Sequence, residues 1–100
     1  MHEVDVDFMI KIGNILSSKA PAIVAVLCAV NKSAQIVTIA GKEAVKKGAN
    51  AGKIAAEAAK KLGGGGSGES SFGQGGGTKP DRAKEALKVA EATVRAQVGG

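Results

Sequence analysis

The stretch GGGGSGESSFGQGGG, Gly63 to Gly77, decides how the chain is read. Nine of its fifteen residues are glycine, and eight of these fall in two clusters, Gly63–Gly66 and Gly73–Gly77, with Phe72 in the short core between them and Gln74 inside the second. A Gly/Ser run of this kind behaves as flexible coil when it is a plain tether. A tether has no use for an aromatic residue, however, and Phe72 is one of only two in the chain. Glycines also permit positive φ, and rows of unhindered N–H groups form anion-binding concavities. Ordering such a segment costs on the order of 1–2 kcal/mol of backbone entropy per residue. The sequence therefore predicts a loop over 63–77, anchored by Phe72, that orders further on a ligand.

The flanks give the rest of the order. Upstream, Phe8, Met9, Ile12, Ile15 and Leu16 recur at helical spacing and predict a helix from about Asp7 to Ser17, capped by Asp5 or Asp7. The abrupt start at Met1 is what an excised piece of a longer protein looks like. PAIVAVLCAV (21–30) is continuously apolar and β-branched, NKS is a turn, and AQIVTIAG (34–41) is a second strand, so the two form a hairpin closed by Gly41. One helix is then expected from Gly41 to Leu62. It places Val45, Gly48, Gly52, Ala55, Ala59 and Leu62 on one small-residue face. Lys42, Lys46, Lys53 and Lys60 fall within about 40° of one another on another face, with Lys47 and Lys61 beside them and only Glu43 and Glu57 in opposition. Gly63 suits the left-handed position past the helix end. After the loop, TKPD offers Thr78 as a cap with Pro in the first turn, and Ala83, Leu87, Ala90 and Val94 form the inner stripe of a helix over about 79–98. The fold class expected is α/β in the α+β sense: a small hairpin-based sheet covered by about three helices, ordered α-β-β-α-glycine loop-α, as one domain over 1–100.

Composition narrows the function. One hundred residues make one modest core, and the absence of Trp and Tyr leaves Ile, Val, Leu and Ala to build it. His2 is the only histidine and Cys28 the only cysteine, so intrachain disulfides, a cysteine zinc cluster and most histidine-based chemistry are excluded. Cys28, inside an apolar run, reads as core. The ten-residue run 21–30 is about half of a membrane span, and the chain reads as intracellular, soluble and cytoplasmic. Fourteen basic against nine acidic side chains give a net charge of +5, which points to a polyanionic partner or to a merely solvated surface. Gly63, Gly65 and Gly68 match G-x-G-x-x-G, but a helix rather than a strand precedes them and the next helix is distant, so a dinucleotide site is not expected. The phosphate-binding pattern G-x-x-x-x-G-K-[ST] is absent.

A lysine-bearing helix running into GGGGSGESSFGQGGG and then into a Pro/Asp-started helix resembles the DHH-associated nucleic-acid-binding family, in the form found at the C-terminus of alanyl-tRNA synthetases. The likeness covers essentially the whole chain and is most specific over KKLGGGGSGESSFGQGGGTKPDRAKEAL (60–87). Two departures stand out. The family's Arg-Pro-Asp is Glu69-Ser70-Ser71 here, and its Ala before the Gln is Gly73.

The resemblance implies a non-catalytic tRNA-facing module that supports aminoacylation and editing of tRNA(Ala). No cofactor is implied in this segment, and the ATP, Mg and Zn sites of such synthetases lie in other parts of the chain. On this reading Lys42, Lys46, Lys53, Lys60 and Lys61 meet phosphates without reading sequence. Lys79 and Arg82 add contacts at the positive end of the last helix. Phe72 either stacks on a base or plugs the loop onto the core, and Gln74 bonds a ribose or holds the loop backbone. A second reading is a dimerisation module whose lysines only solubilise it, with a homodimer as partner. A third is the non-catalytic half of a DHH-type phosphoesterase, since one His and scattered Asp cannot build the metal site of such an enzyme.

Overall fold

The computed structural model describes residues 6–30 and 32–98. The expected cap at Asp5, His2 and the terminal Gly-Gly lie outside what is described, whereas Asp7, the other expected cap, falls inside the first helix, Val6–Lys19. The elements are α1 (Val6–Lys19), β1 (Val24–Val30), β2 (Ala34–Ala40), α2 (Lys42–Lys46), α3 (Ala51–Lys61), β3 (Gly65–Gly68), β4 (Phe72–Gly77), a 3₁₀ turn (Pro80–Arg82) and α4 (Ala83–Val98). The first hairpin forms as expected, with Val24 opposite Ala40 and Val30 opposite Ala34.

The glycine stretch is not a loop. It is a second hairpin, β3–β4, and the four strands make one antiparallel sheet in the order β1-β2-β4-β3. The physical reason lies in what sits above the strands. Strand residues alternate between two faces, and the register places Gly66, Gly68, Gly73, Gly75 and Gly77 on the same face as Ala34, Ile36 and Thr38. That face carries α3, whose Ala51, Gly52, Ala55, Ala58 and Ala59 are buried. A Cβ on Gly66 would stand 2.8 Å from the Ala55 carbonyl oxygen, and one on Gly75 would stand 3.0 Å from the Ala59 Cβ. Helix and sheet touch backbone to backbone, which only glycine and alanine allow. The ordering entropy is offset by this contact and by hydrogen bonds, which the sequence alone did not reveal.

The middle helix is also not continuous. Lys47 ends α2, Gly48 takes φ +107°, and Asn50 in extended backbone begins α3 by accepting a hydrogen bond from the Lys53 N–H at 3.1 Å. The segment KKGAN is a stop followed by a start: glycine in left-handed space, then an Asn N-cap. The other α3 first-turn amides are taken by the β3–β4 turn, Ala51 N–H by the Ser70 carbonyl (2.9 Å) and Gly52 N–H by the Glu69 carbonyl (2.8 Å). The last helix likewise starts later than expected. Lys79 rather than Thr78 is the N-cap of the 3₁₀ turn, with no side-chain cap bond.

Two layers flank the sheet. On one face Ile36, Ile54, Leu62, Ala86 and Ala90 form the main core, with Val24 and Val26 against it. Burying one such Ile or Leu contributes roughly 1.5–3 kcal/mol. Leu87, expected in the inner stripe of α4, is 40% exposed, and Ala86 takes its place. The smaller side chain lets α4 approach α3. On the other face Met9 of α1 packs on Val37 and Ile39, with Ile10, Leu27, Ala29 and Phe72 at the margin. The buried Thr38 hydroxyl donates to the Ala51 carbonyl at 2.6 Å, which satisfies the polar side chain that lies within the core.

Candidate nucleic-acid interface

The sheet face that carries α1 is only half covered. Helix α1 lies over β1 and β2, whereas the β4–β3 half presents Gly65, Ser67, Gln74 and Gly76, with Gln35 of β2 alongside. Gln74 stands opposite Val37 on one side and Ser67 on the other, and Gly76 stands between Gln35 and Gly65. The result is an open depression of about 730 Å³ lined by Ser33, Gln35, Ser67, Gln74 and the bare peptide groups of Gly65 and Gly76. Gln35 and Gln74 are exposed, and each amide offers two donors and an acceptor. Lys32 and Lys79, both exposed, adjoin Ser33 and Thr78 at one end of the depression.

Gly65 differs from its neighbours: a Cβ there would meet nothing within 4 Å. Packing within the chain therefore does not require glycine at this position, and its smoothness serves only the open surface. Chemically, the face suits a ligand with ring or ribose groups to meet amides and bare peptides, and with phosphates to meet ammonium groups at the rim.

The expected site residues do not all converge here. Gln74 lines the depression, whereas Lys79 follows the lining residue Thr78 and its stem lies along Gly63. Phe72 is half-buried against the Met9–Val37–Ile39 cluster, at the margin of the core. The ladder Lys42, Lys46, Lys53, Lys60 on a single helix is not formed, because the break at 47–50 puts the first two on α2 and the last two on α3. All four are exposed, as is Lys61. Lys42 borders a cleft with Phe72, whereas Lys53 lies with Glu57 in a groove between α3 and α4 on the opposite layer. Lys60 pairs with Glu57 at 3.2 Å and Arg82 with Glu85 at 2.9 Å, both at the surface. Sequence reasoning missed Gln35, Ser67 and Lys32. The available signal was Gln35, a polar residue on the strand face it shares with Val37 and Ile39.

The family profile described as the DHHA1 domain matches residues 2–96. The chain belongs to the DHHA1 domain family. It is 35% identical to the alanine–tRNA ligase of Natranaerobius thermophilus over 99 residues, 98% of this chain and 11% of that protein. It is 48% identical to the alanine–tRNA ligase of Acidothermus cellulolyticus over 64 residues, 64% of this chain and 7% of that protein. The chain thus spans about a tenth of the length of these relatives. Its fold is similar to the crystal structure of the C-Ala domain from Aquifex aeolicus alanyl-tRNA synthetase, with a TM-score of 0.82 and 28% identity, covering 92% of this chain and 83% of that one.

In this DHHA1 domain the N-terminus of α3, the obvious place for an anion, is closed by the chain itself through Asn50, Ser70 and Glu69. Glu69 also accepts the Ser71 hydroxyl at 3.0 Å. Burial pushes the Cys28 thiol above its ordinary pKa, which keeps it protonated and poorly nucleophilic at neutral pH. Among the described residues, no group of three or more His, Cys, Asp or Glu is placed to hold a metal, and no helix is long and apolar enough to cross a membrane.

Proposed function

We propose that this DHHA1 domain is the tRNA-binding C-terminal module of a cytoplasmic alanyl-tRNA synthetase, with no catalytic residue of its own, and that it serves aminoacylation and editing by holding tRNA(Ala). The observation that carries the reading is the open half-sheet: exposed Gln35 and Gln74 amides, a glycine at 65 that packing does not require, and exposed Lys32 and Lys79 next in sequence to the lining residues Ser33 and Thr78. Side-chain amides and bare peptides meet ribose and base edges, and ammonium groups meet phosphate. Lys42, Lys46, Lys53, Lys60, Lys61 and Arg82 then supply sequence-independent attraction from the flanks and from the opposite layer.

The test is fluorescence anisotropy of labelled tRNA(Ala) titrated with the chain at 50 mM salt. Gly65→Leu and Gln74→Ala are expected to weaken binding about tenfold or more while the urea midpoint stays where it is. Unchanged affinity in both variants would remove the half-sheet from the interface. A second reading, self-association through α1, rests on Phe8, Ile15 and Leu16, which are 52%, 56% and 37% exposed. Gel filtration separates the two, since a homodimer elutes early with or without tRNA.

A further inference from the structure

At the far end of the same sheet face lies a second, more enclosed recess of about 420 Å³. Asn14 and Ser18 of α1, Lys42 at the start of α2, and Ser71 and Phe72 at the entry to β4 line it, over a floor of Ile39 and Ala40. Asn14 and Ser18 stand one helical turn apart and so share a face of α1. Ser71 is held in place by its carbonyl, which accepts the Ala40 N–H at 3.0 Å, and by its hydroxyl, which donates to Glu69. The recess therefore combines an apolar floor, one aromatic residue, one ammonium group and the polar side chains of Asn14, Ser18 and Ser71, the last already donating to Glu69. Phe72 and Gln74 are two apart on β4 and point to the same face, so the recess and the half-sheet depression lie along one strand.

We propose that this recess takes a single unstacked nucleobase of the bound RNA, with Phe72 as an apolar wall, Asn14 and the two serines at the base edge, and Lys42 on the adjoining phosphate. The proposal rests on the RNA-binding reading and adds to it the class of ligand: a nucleotide with its base splayed out, rather than a continuous duplex. A duplex offers only stacked bases, which do not reach into a recess. The space is large enough for one nucleotide. Its single cation matches the one phosphate such a nucleotide brings.

Two measurements on the full chain test this. In the first, each of the four ribonucleoside 5′-monophosphates is titrated into isotopically labelled protein, and amide shifts are followed by NMR. Shifts are expected at Asn14, Ser18, Lys42, Ser71 and Phe72. In the second, Phe72→Leu, which keeps apolar packing, and Ser18→Tyr, which fills the recess from an exposed position, are each expected to lower affinity for tRNA(Ala) about tenfold while leaving weak binding to a blunt RNA duplex unchanged. Nucleotide shifts confined to Ser67 and Gln74, or wild-type tRNA affinity in both variants, would overturn the recess and leave the half-sheet standing. Nucleotide shifts at the recess in a chain that does not bind tRNA would instead uphold the recess and remove the tRNA reading. Absence of both overturns both.

Discussion

Glycine does two different jobs in this chain, and neighbouring residues separate them. Gly66 faces α3, where an added methyl meets the Ala55 carbonyl at 2.8 Å and the Ala55 carbonyl carbon at 2.9 Å. The obstacle is backbone, which cannot rotate away as a side chain can. Gly66→Ala is expected to destabilise the fold by about 1–3 kcal/mol, the usual range for overpacking. Gly65 precedes it on the same strand and faces open space. Gly65→Ala is expected to change stability by less than about 0.5 kcal/mol. Paired urea denaturation curves check both values, and equal losses at the two sites would show that helix–sheet contact is not what demands glycine.

At the scale of elements, the helix break is held from three sides. The Asn50 side chain accepts from Lys53 N–H, its backbone N–H donates to the Gln97 Oε1 at 2.8 Å, and the Gln97 Nε2 donates to the Asn50 carbonyl at 3.2 Å. The end of α4 is thereby clamped to the beginning of α3. Gly48 adds the positive φ that lets the chain turn between α2 and α3. Asn50→Ala removes only the cap bond and is expected to cost about 1 kcal/mol, with Asn50→Asp recovering most of it because Asp caps as well as Asn. Thermal and urea unfolding read this directly. A loss in the Asp variant as large as in the Ala variant would mean that the cap is not the source. The break also moves Lys42 away from Lys53, so a local backbone event redistributes the charge of the whole surface.

Across the whole molecule, basic side chains occupy both layers, and their roles separate by salt. Lys53 and Lys60 lie behind the sheet, away from the amides of Gln35 and Gln74. If they act as general phosphate contacts, the double variant Lys53→Gln/Lys60→Gln is expected to lower tRNA affinity alike across RNA sequences. It should also make the slope of log affinity against log salt shallower by about 2. Titrations at several salt concentrations provide the check, and an unchanged slope would assign these lysines to solvation alone. Much of the fold was legible in the residues. The β1–β2 hairpin follows from continuous β-branched runs joined by a turn, and α1 and α4 follow from helical spacing, because these patterns are local and their periods differ. The kinship was legible too, in the two glycine clusters and the Gln-Gly-Gly-Gly that closes the second. Local pattern could not show that the glycine stretch is a hairpin, since its side chains carry no apolar alternation and its order comes from backbone contact with a helix earlier in the chain. Nor could it set Gln35 and Gln74 on one face, because they lie on paired strands nearly forty positions apart. The amino acids by themselves determined the first hairpin, the first and last helices, and the family they belong to. Only the tertiary structure decided that the glycines carry a helix on one face and leave a bare polar surface on the other, because which side of a strand is covered depends on the register of its partners and not on its own composition.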